Sequence, residues 1–361
     1  MASQIPYGAR ALPISPRIAT SSGFNLARGG GRQQADAKTA QTQSLVLRKL
    51  SVMQPIRHKT SPLLLAFIAS VVLLCVHVPT AHAESPTGID GYIWLDVNDE
   101  PLPYQDHATI QEWLRSANVI SREKVGRGIA GVEKLVLEYE GIRFHAAFRS
   151  VDVTVRKAAP RGVERSTKKY RDAAIFESAA YELSELLGIG RVPPVVERSI
   201  DGQNGTVQIW MEGTRPEVVL KQEDQLHPPD ISRWKQQKQI MYVFDNLVCN
   251  SDRNQGNLLI DRGWNIWFID HTRAFKRSSK LIYLDKLTSC DRRLWSSLRD
   301  INDETIQQRL EPYLESREIT KLLTRRRTLV RRIQGMIDKQ SEETVLFDLR
   351  PPTGERANWS D

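Results

Sequence analysis

The stretch FDNLVCNSDRNQGNLLIDRGWNIWFIDHTRAF, residues 244–275, contains the most specific pattern of polar residues in the chain. It contains an acid at Asp252, an amide five residues later at Asn257, and a second acid, Asp270, directly after an apolar run. The segments LLI and IWFI flank a turn over residues 261–263, which predicts a short β-hairpin between the amide and the second acid. Because a hairpin returns the chain to its starting point, the pattern predicts that these three polar side chains meet.

An acid, an amide and a second acid at this spacing suit phosphoryl transfer. That reaction needs metal ions on the phosphates, a carboxylate near the attacking hydroxyl and a basic residue on the phosphate oxygens. In protein kinases the acid of the catalytic loop is followed five residues later by a metal-binding Asn, and a metal-binding Asp lies in the next loop. Carboxylate and amide oxygens suit Mg²⁺ or Mn²⁺. The alternative is an Asp- and Asn-rich turn that only caps a hairpin.

The same stretch resembles the signature D-x-L-x-x-N-x-D-R-x-x-G-N…I-D of the atypical kinases. These include phosphatidylinositol 3- and 4-kinases, HipA-type bacterial serine kinases, and the Fam20 and Four-jointed secretory kinases. A second segment, ESAAYELSELLGIGRVPPVVERSIDGQNGTVQIWMEG at residues 177–213, is similar to a phrase of exported Fam20-like bacterial proteins. The resemblance covers about residues 100–348. It implies a kinase-like fold that binds ATP between two lobes.

The resemblance also implies roles for individual residues. Asp252 corresponds to the catalytic acid, and Asn257 and Asp270 correspond to the metal ligands. Glu177 corresponds to the acid that pairs with the phosphate-binding cation. Where a kinase strand carries its phosphate-binding Lys, this sequence reads HAAFRSVD, so the cation is Arg149, which is not a neutral replacement for Lys. A solvated helix residue and a charge at a strand end are the alternative interpretations of Glu177 and Arg149.

Two further segments are expected to contact the nucleotide. The strand at 208–212 resembles the hinge whose backbone meets adenine, and its assigned residues are Trp210, Met211 and Glu212. The run GRGIAG fits G-x-G-x-x-G through Gly126, Gly128 and Gly131. It precedes a predicted strand instead of opening a helix, which favours a phosphate-covering kinase loop over a dinucleotide-binding turn. An ordinary turn is the alternative.

The order of predicted elements, strands first and helices afterwards, is typical of an α+β protein. With the resemblance, it predicts a two-lobed protein-kinase-like fold. A strand-rich lobe is expected over 120–213 and a helical lobe over 214–348, between a lead-in at 84–119 and a tail at 349–361.

Local patterns predict individual elements within these lobes. Helices are expected over 171–187 and 231–248, and the basic segment 156–172 is expected to form a loop. Two strand patterns meet at Glu140-Gly141, which predicts a turn there. A second turn is expected at Asn204-Gly205, a dipeptide that favours two-residue hairpin turns. The arginine-rich segment TRRRTLVRRI, residues 324–333, predicts the solvated face of a terminal helix, and a contact with anionic lipid or nucleic acid is the alternative.

The N-terminal part of the sequence predicts export. Residues 1–52 are rich in Ser, Gly, Gln and Arg without periodicity, which is typical of disorder or of an overcalled start. Residues 53–83 follow the order of a signal peptide, with basic residues, an apolar run at 63–78 and the cleavage pattern Ala-His-Ala. A membrane anchor is the alternative. Either way the remaining chain is expected in the periplasm or outside a bacterial cell, or in a eukaryotic secretory pathway.

Composition agrees with a folded, exported protein. The chain has 361 residues, 40% of them hydrophobic, and a net charge of +8. That charge fits an anionic partner such as a nucleotide, although solubility alone also explains it, and no nucleic acid partner is expected. Beyond the apolar run only Cys249 and Cys290 remain, and Cys249 is predicted to be a buried thiol. No His/Cys cluster has zinc-ligand spacing.

The predicted function is that of an exported kinase dependent on Mg²⁺ or Mn²⁺, which moves the γ-phosphoryl group of ATP to a hydroxyl of a protein, a sugar or a lipid head group. A pseudokinase that binds a nucleotide or a partner without turnover is the alternative, motivated by Arg149 and by the scarcity of ATP outside the cytoplasm. A metal-dependent phosphohydrolase would need a denser array of His and Asp ligands. A membrane is an expected partner only if residues 63–78 remain as an anchor.

Overall fold

The computed structural model describes residues 92–125, 131–156 and 169–354, together with Ala357 and Trp359. All of these residues belong to one compact unit, Thr80–Asp361. The predicted signal segment therefore lies outside the described residues. Among the described residues, no helix is both long enough and apolar enough to cross a membrane.

The first lobe is built around an antiparallel sheet of five strands. In chain order its elements are α1 (His107–Ser116), β1 (Asn118–Lys124), β2 (Glu133–Tyr139), β3 (Ile142–Arg149), β4 (Asp152–Arg156), β5 (Lys169–Ala173), α2 (Ile175–Leu186), β6 (Val195–Ile200) and β7 (Gln203–Ile209). The strand order in the sheet is β1-β2-β3-β7-β6, and β4 and β5 form a separate ribbon. Strand β3, which ends at Arg149, is therefore central.

The second lobe is mostly helical. Its elements are β8 (Arg215–Pro216), α3 (Glu217–Gln222), α4 (Ile231–Val248), β9 (Leu258–Ile260), β10 (Ile266–Phe268), β11 (Cys290–Asp291), α5 (Arg292–Asp300), α6 (Asp303–Leu310), α7 (Ser316–Gln340), α8 (Glu342–Val345) and β12 (Leu346–Phe347). Strands β8, β9 and β10 form a small antiparallel sheet. The predicted α+β class, with a strand-rich lobe followed by a helical lobe, is confirmed.

The predicted helix over 231–248 is confirmed as α4. It begins where the side chain of Asp230 accepts a hydrogen bond from the backbone N–H of Arg233, which satisfies one of the unpaired donors of the first turn. It ends at Cys249, whose left-handed backbone (φ 55°) turns the chain into the loop that contains Asp252. The helix therefore delivers that loop to a defined place.

One of the two predicted hairpin turns is wrong. The turn at Glu140-Gly141 is confirmed between β2 and β3. Between β6 and β7, however, the chain turns at Asp201 and Gly202, which have φ angles of 51° and 77°, and not at Asn204-Gly205. Both Asp-Gly and Asn-Gly favour such turns, so the dipeptides alone did not decide between them.

Gly205 instead lies inside β7, where the backbone of β3 comes very close. A Cβ atom at this position would lie well inside van der Waals contact with the carbonyl oxygen of Arg149 and 2.7 Å from Cε2 of Phe148. A glycine in a strand often marks such a close approach of two backbones. Gly205 therefore permits the pairing that holds Arg149 in the sheet.

The helix predicted over 171–187 starts later, at Ile175, because residues 169–173 form strand β5. Arg171 donates two hydrogen bonds to the carboxylate of Asp152 on the paired strand β4 (2.8 and 2.7 Å). The ends of the segment predicted as a loop are thus strands, and its centre, 157–168, lies outside the described residues.

Each lobe has its own apolar core, and each core also receives at least one aromatic side chain from an element of the other lobe. The predicted lead-in contributes Trp94, Leu102 and Trp113 to the cluster beneath the sheet. Trp267 of β10 joins the same cluster, whereas Phe176 of α2 packs in the cluster of the helical lobe. These crossed contacts hold the two lobes together beside the loops that carry the predicted site.

The arginine-rich part of α7 is not simply a solvated face, so that prediction is wrong for two residues. Arg325 is buried and donates to the carbonyl oxygens of Leu247 (2.8 Å), Lys276 (3.0 Å) and Ser278. Arg326 is also buried, and it donates to carbonyl oxygens at the end of α5. The last carbonyls of a helix lack partners within it, and a guanidinium can satisfy several at once.

The two remaining cysteines are buried free thiols, as predicted for Cys249. Burial raises the pKa of the Cys249 thiol above its usual range.

We expect Gly205→Ala to lower the free energy of unfolding by about 1–3 kcal/mol, because the added methyl group overpacks the β3–β7 contact. Chemical denaturation of the purified chain measures the change.

Gly335→Ala is the matched control, since no atom lies within 4 Å of a Cβ built at this position in α7. It should raise the free energy of unfolding by about 0.5–1 kcal/mol, because alanine favours a helix interior. Equal effects of the two substitutions would contradict the close approach at Gly205.

We expect Arg325→Met to lower the free energy of unfolding by about 1–3 kcal/mol for each carbonyl left buried without a donor. The exposed Arg331 on the same helix is the control, and Arg331→Met should change it by less than about 0.5 kcal/mol. Urea denaturation followed by circular dichroism compares the two variants, and similar losses would show that Arg325 does not act through these carbonyls.

Candidate active site

The loop after α4 brings the predicted acid and amide together. The side-chain oxygen of Asn250 accepts from the backbone N–H of Asp252 (3.1 Å), and Nδ2 of Asn257 donates to the carbonyl oxygen of Asp252 (3.2 Å). The Asp252 side chain is 44% exposed, so its carboxylate is open to a partner from solution. The loop geometry thus holds the backbone of Asp252 and leaves its side chain accessible.

Arg253 connects the loop that contains Asp252 to the backbone just before Asp270. Its guanidinium pairs with the buried carboxylate of Asp245 (3.0 Å). Its Nη1 donates both to the carbonyl oxygen of Asn257 (2.9 Å) and to that of Ile269 (2.6 Å). One buried side chain therefore holds the residue before Asp270 beside Asn257.

Asp270 has a left-handed backbone, with φ of 62°. Among residues other than glycine, Asp and Asn adopt this conformation most readily. Its Oδ1 accepts a hydrogen bond from Oγ1 of Thr272 (3.3 Å). The chain turns sharply here, which directs the next three residues toward the first lobe.

Each residue of the segment 271–273 binds an element of the first lobe. The bonds run from His271 N to Glu177 Oε1 (2.9 Å), from Ala173 N to Thr272 O (2.8 Å) and from Arg273 Nε to Asp172 Oδ2 (2.7 Å). The partners lie about one hundred residues earlier in the chain, at the end of β5 and the start of α2. The position of Asp270 is therefore tied to both lobes.

Glu177 is fully buried and is shared by two partners, so the alternative of a solvated helix residue is wrong. Its Oε1 lies 3.5 Å from Nη1 of Arg149, and its Oε2 lies 3.0 Å from Nδ1 of His271. Arg149 is itself buried (6% exposed), so it is not a charge at an exposed strand edge. The structure thus joins the acid and the cation that the sequence assigned to each other.

His271 continues the chain of contacts into the second lobe. Nη2 of Arg253 lies 2.9 Å from Nε2 of His271. A guanidinium has only donors, so Nε2 accepts and Nδ1 carries the proton that is donated to Glu177. Sequence reasoning found no partner for His271, because neither contact is local.

Glu177 remains ionised despite its burial. Burial opposes the charge, but the Arg149 guanidinium and the hydrogen bonds donated by His271 outweigh it and lower the pKa of Glu177 to about 2.

The three predicted hinge residues lie in the connection from β7 to β8, between the lobes. The backbone N–H of Trp210 donates to the carbonyl oxygen of His145 (3.0 Å), and Met211 is buried. The Glu212 carboxylate contacts Nδ1 of His145 (2.5 Å), while its carbonyl oxygen accepts from the hydroxyl of Tyr92 (3.0 Å). His145 and Tyr92 brace this connection, and no local pattern in the sequence indicates either residue.

The glycine-rich run joins β1 to β2, which are paired antiparallel neighbours. Gly126 and Gly128 lie outside the described residues. Gly131 has a positive φ of 54° and open space where a side chain would begin. The backbone N–H of Val125 donates to the carbonyl oxygen of Val132 (3.0 Å), so the run starts and ends at one place on the sheet edge.

The site residues fit a divalent cation and a phosphate, although no three His, Cys, Asp or Glu side chains of the described residues form a metal-binding group. Because Nδ2 of Asn257 is used within the loop, its Oδ1 is the atom available to a cation. Nε of Arg149 is buried and has no hydrogen-bond partner among the described residues. A buried donor of this kind fits a phosphate oxygen.

No family model matches the sequence, and no curated protein does. Among solved structures, the chain is similar to hydra Fam20 with sugar, at 14% sequence identity and a TM-score of 0.48, over 67% of this chain and 92% of that one. It is also similar to the Golgi casein kinase, at 12% identity and a TM-score of 0.46, over 68% of this chain and 80% of that one. A structure of the Golgi casein kinase with Mn/ADP bound gives 13% identity and a TM-score of 0.46 over the same shares. Similarity at these values assigns no role to any residue of the site.

We expect Glu177→Gln to lower the free energy of unfolding at pH 7 by about 3–5 kcal/mol, because it leaves the buried Arg149 without its counter-charge. Since the pKa of Glu177 is lowered in the folded state, its contribution is complete above about pH 4.5 and is lost as the pH falls toward about 2. The difference between wild type and variant should therefore shrink below about pH 4.5.

Urea denaturation at several pH values from 7 to 3 measures this difference. Glu223→Gln, at an exposed position, is the control and should follow the wild-type curve throughout. A Glu177→Gln variant as stable as this control at pH 7 would contradict the buried ion pair.

Proposed function

We propose that the protein is a metal- and ATP-dependent phosphotransferase that moves the γ-phosphoryl group to a hydroxyl acceptor. One observation carries the proposal. The buried pair of Arg149 and Glu177 is hydrogen-bonded to the residue directly after Asp270, at the place where Arg253 also holds Asn257. Phosphoryl transfer depends on positioning and on charge neutralisation, and this arrangement supplies both.

Arg149 is the residue that would bind phosphate oxygens. Glu177 holds its guanidinium and balances its charge, while the unpartnered Nε offers a further donor. The planar guanidinium presents several donors at once, which suits a phosphate even though kinases use Lys here.

Asn257 and Asp270 are the residues that would hold Mg²⁺ or Mn²⁺, through oxygen ligands of the kind these ions prefer. When bound, the ion would neutralise the charge of the phosphates. Arg253 keeps the backbones of these two loops adjacent, since it donates to the carbonyl oxygens of Asn257 and Ile269.

Asp252 would orient the acceptor hydroxyl and accept its proton. Its exposed carboxylate lies on a loop whose backbone is fixed by Asn250 and Asn257. A general base must lie within hydrogen-bond reach of the proton that it removes, and an open carboxylate allows this.

A nucleotide-binding module without turnover is the second candidate, and Arg149 is the observation that favours it. An Arg in place of the phosphate-binding Lys changes both the reach and the geometry of the cation. The presence of Asp252, Asn257 and Asp270 together favours the kinase, because a module that only binds does not need the acid.

The acceptor class and the cellular compartment are proposed from patterns in the sequence. We propose a hydroxyl of a protein, a sugar or a lipid head group as acceptor. We also propose export to the periplasm, the exterior or the secretory pathway, which is supported by the order of basic, apolar and Ala-His-Ala segments in residues 53–83.

The purified chain, incubated with γ-labelled ATP and either Mg²⁺ or Mn²⁺, should transfer phosphate or consume ATP. Casein, glucose and phosphatidylinositol vesicles represent the three acceptor classes. We expect Asp252→Ala to lower kcat about 10²–10⁴-fold while nucleotide affinity changes little, since it removes the base but no phosphate ligand. Asp270→Asn should abolish the metal-dependent activity.

Asp300→Asn, at an exposed position at the end of α5, is the control and should retain wild-type activity. Nucleotide affinity without turnover in the wild type would favour the second candidate. The absence of nucleotide affinity would overturn both.

A further inference from the structure

We propose that Arg273 is a positioning residue for this reaction, which holds the carboxylate of Asp252 by one oxygen and leaves the other for the acceptor hydroxyl. The inference rests on the proposed function and extends it to a residue and a contact that the phosphoryl-transfer pattern of the sequence does not include.

The guanidinium of Arg273 spans two carboxylates of different character. Its Nε donates to Oδ2 of Asp172 (2.7 Å), which is buried at the end of β5. Its Nη1 donates to Oδ2 of Asp252 (3.0 Å), whose side chain is 44% exposed. One end of the contact is thus anchored in the first lobe, and the other reaches the open carboxylate of the catalytic loop.

The anchor restricts where the guanidinium can lie. Asp172 belongs to the strand that ends just before α2, and the adjacent Ala173 N–H donates to the carbonyl oxygen of Thr272. The backbone of the segment is therefore fixed to Ala173 and the side chain of Arg273 to the adjacent Asp172, both in the first lobe. A guanidinium held in this way loses little freedom when it binds a second carboxylate.

The contact with Asp252 is poorly suited to a purely structural role. The side chains of Arg273 and Asp252 are 31% and 44% exposed, and ion pairs at such exposure contribute little to stability because water and salt screen them. An arginine that served only to neutralise Asp172 would need no contact with the catalytic loop.

For catalysis the same contact has a clear use. The Asp252 backbone is held by two asparagines, but its side chain can still rotate unless another group holds it. Arg273 occupies Oδ2, and no hydrogen bond to Oδ1 is found among the described residues. The carboxylate is thereby oriented before an acceptor arrives, and placing a base within reach of the attacking hydroxyl is a large part of what such an enzyme contributes.

The contact also links the acid to the metal-binding loop. Arg273 follows Asp270 by three residues in the segment 271–273, which is bonded to the first lobe at each position. The distance between the acid and Asp270 is therefore held by one short segment instead of by two independent loops.

The test compares Arg273→Ala with Arg277→Ala in the full chain. Arg277 lies four residues further along the chain and pairs with Glu315 instead of Asp252, so its removal should not change the activity. We expect Arg273→Ala to lower kcat about 10- to 100-fold, with the KM for ATP and the affinity for the Mn²⁺–nucleotide complex unchanged within about twofold. ATP consumption, with the most active of the three acceptor probes, is the readout.

Two further variants separate positioning from simple loss of charge. Arg273→Lys should recover only part of kcat, because a single ammonium nitrogen replaces the two separate nitrogens, Nε and Nη1, through which the guanidinium reaches the two carboxylates. Asp172→Asn should also lower kcat. The double variant Asp172→Asn/Arg273→Ala should be no slower than Arg273→Ala alone, because both substitutions remove the same ion pair between residues 172 and 273. Arg273→Gln replaces the alanine variant if the latter does not fold.

An Arg273→Ala variant with the kcat of Arg277→Ala, in an enzyme that Asp252→Ala inactivates, would overturn this inference and leave the proposed function intact. A higher kcat would also overturn it, since the contact would then restrain Asp252 unproductively. A wild-type chain without any turnover would overturn the proposed function, and this inference with it.

Discussion

The buried carboxylate of Glu177 is the constraint on which the rest of the site depends. An ionised group without water is costly unless charge and hydrogen bonds compensate it. Its compensation comes from three directions: Arg149 on the central strand of the first lobe, and the backbone and ring of His271 in the second. Moving any of these groups away would weaken the compensation of the buried Glu177 charge. The interactions of this one carboxylate therefore hold the two lobes in one relative position.

The network of charged and polar contacts extends from Glu177 through His271 to Arg253 and Asp245. The contacts alternate in sign from Arg149 to Glu177 and from Arg253 to Asp245, with a histidine as the neutral connector between them. A continuous network in a low-dielectric interior is stronger than its isolated parts. It crosses from the sheet to α4 through His271, the residue after Asp270, so the polar interior of the protein also positions the candidate site.

Much of this architecture could be predicted from the sequence where the determinants are local. The spacing from Asp252 to Asn257 and Asp270, the bounds of α4 and the turn at Glu140-Gly141 depend on neighbours along the chain. The wrong prediction of the turn between β6 and β7 has another cause. Asn204-Gly205 and Asp201-Gly202 have nearly equal turn propensity, and only the close contact with β3 excludes the former as the turn.

Long-range partners could not be predicted in this way. His271 and Arg273 reach residues about one hundred positions earlier, and periodicity does not register such contacts. The burial of Arg325 and Arg326 in α7 could not be predicted for the same reason, because a buried guanidinium that binds carbonyl oxygens has the same local sequence as an exposed one.

Arg325 has a consequence for the order in which the protein can be made. It comes late in the chain, yet it satisfies the carbonyl oxygen of Leu247 at the end of α4 and those of Lys276 and Ser278 beyond Asp270. During synthesis the first lobe and the loop that contains Asp252 emerge well before it. A growing chain that ends before residue 325 carries every residue of the candidate site but lacks the group that closes the framework behind it. Completion of the framework behind the candidate site is therefore coupled to synthesis of the last long helix.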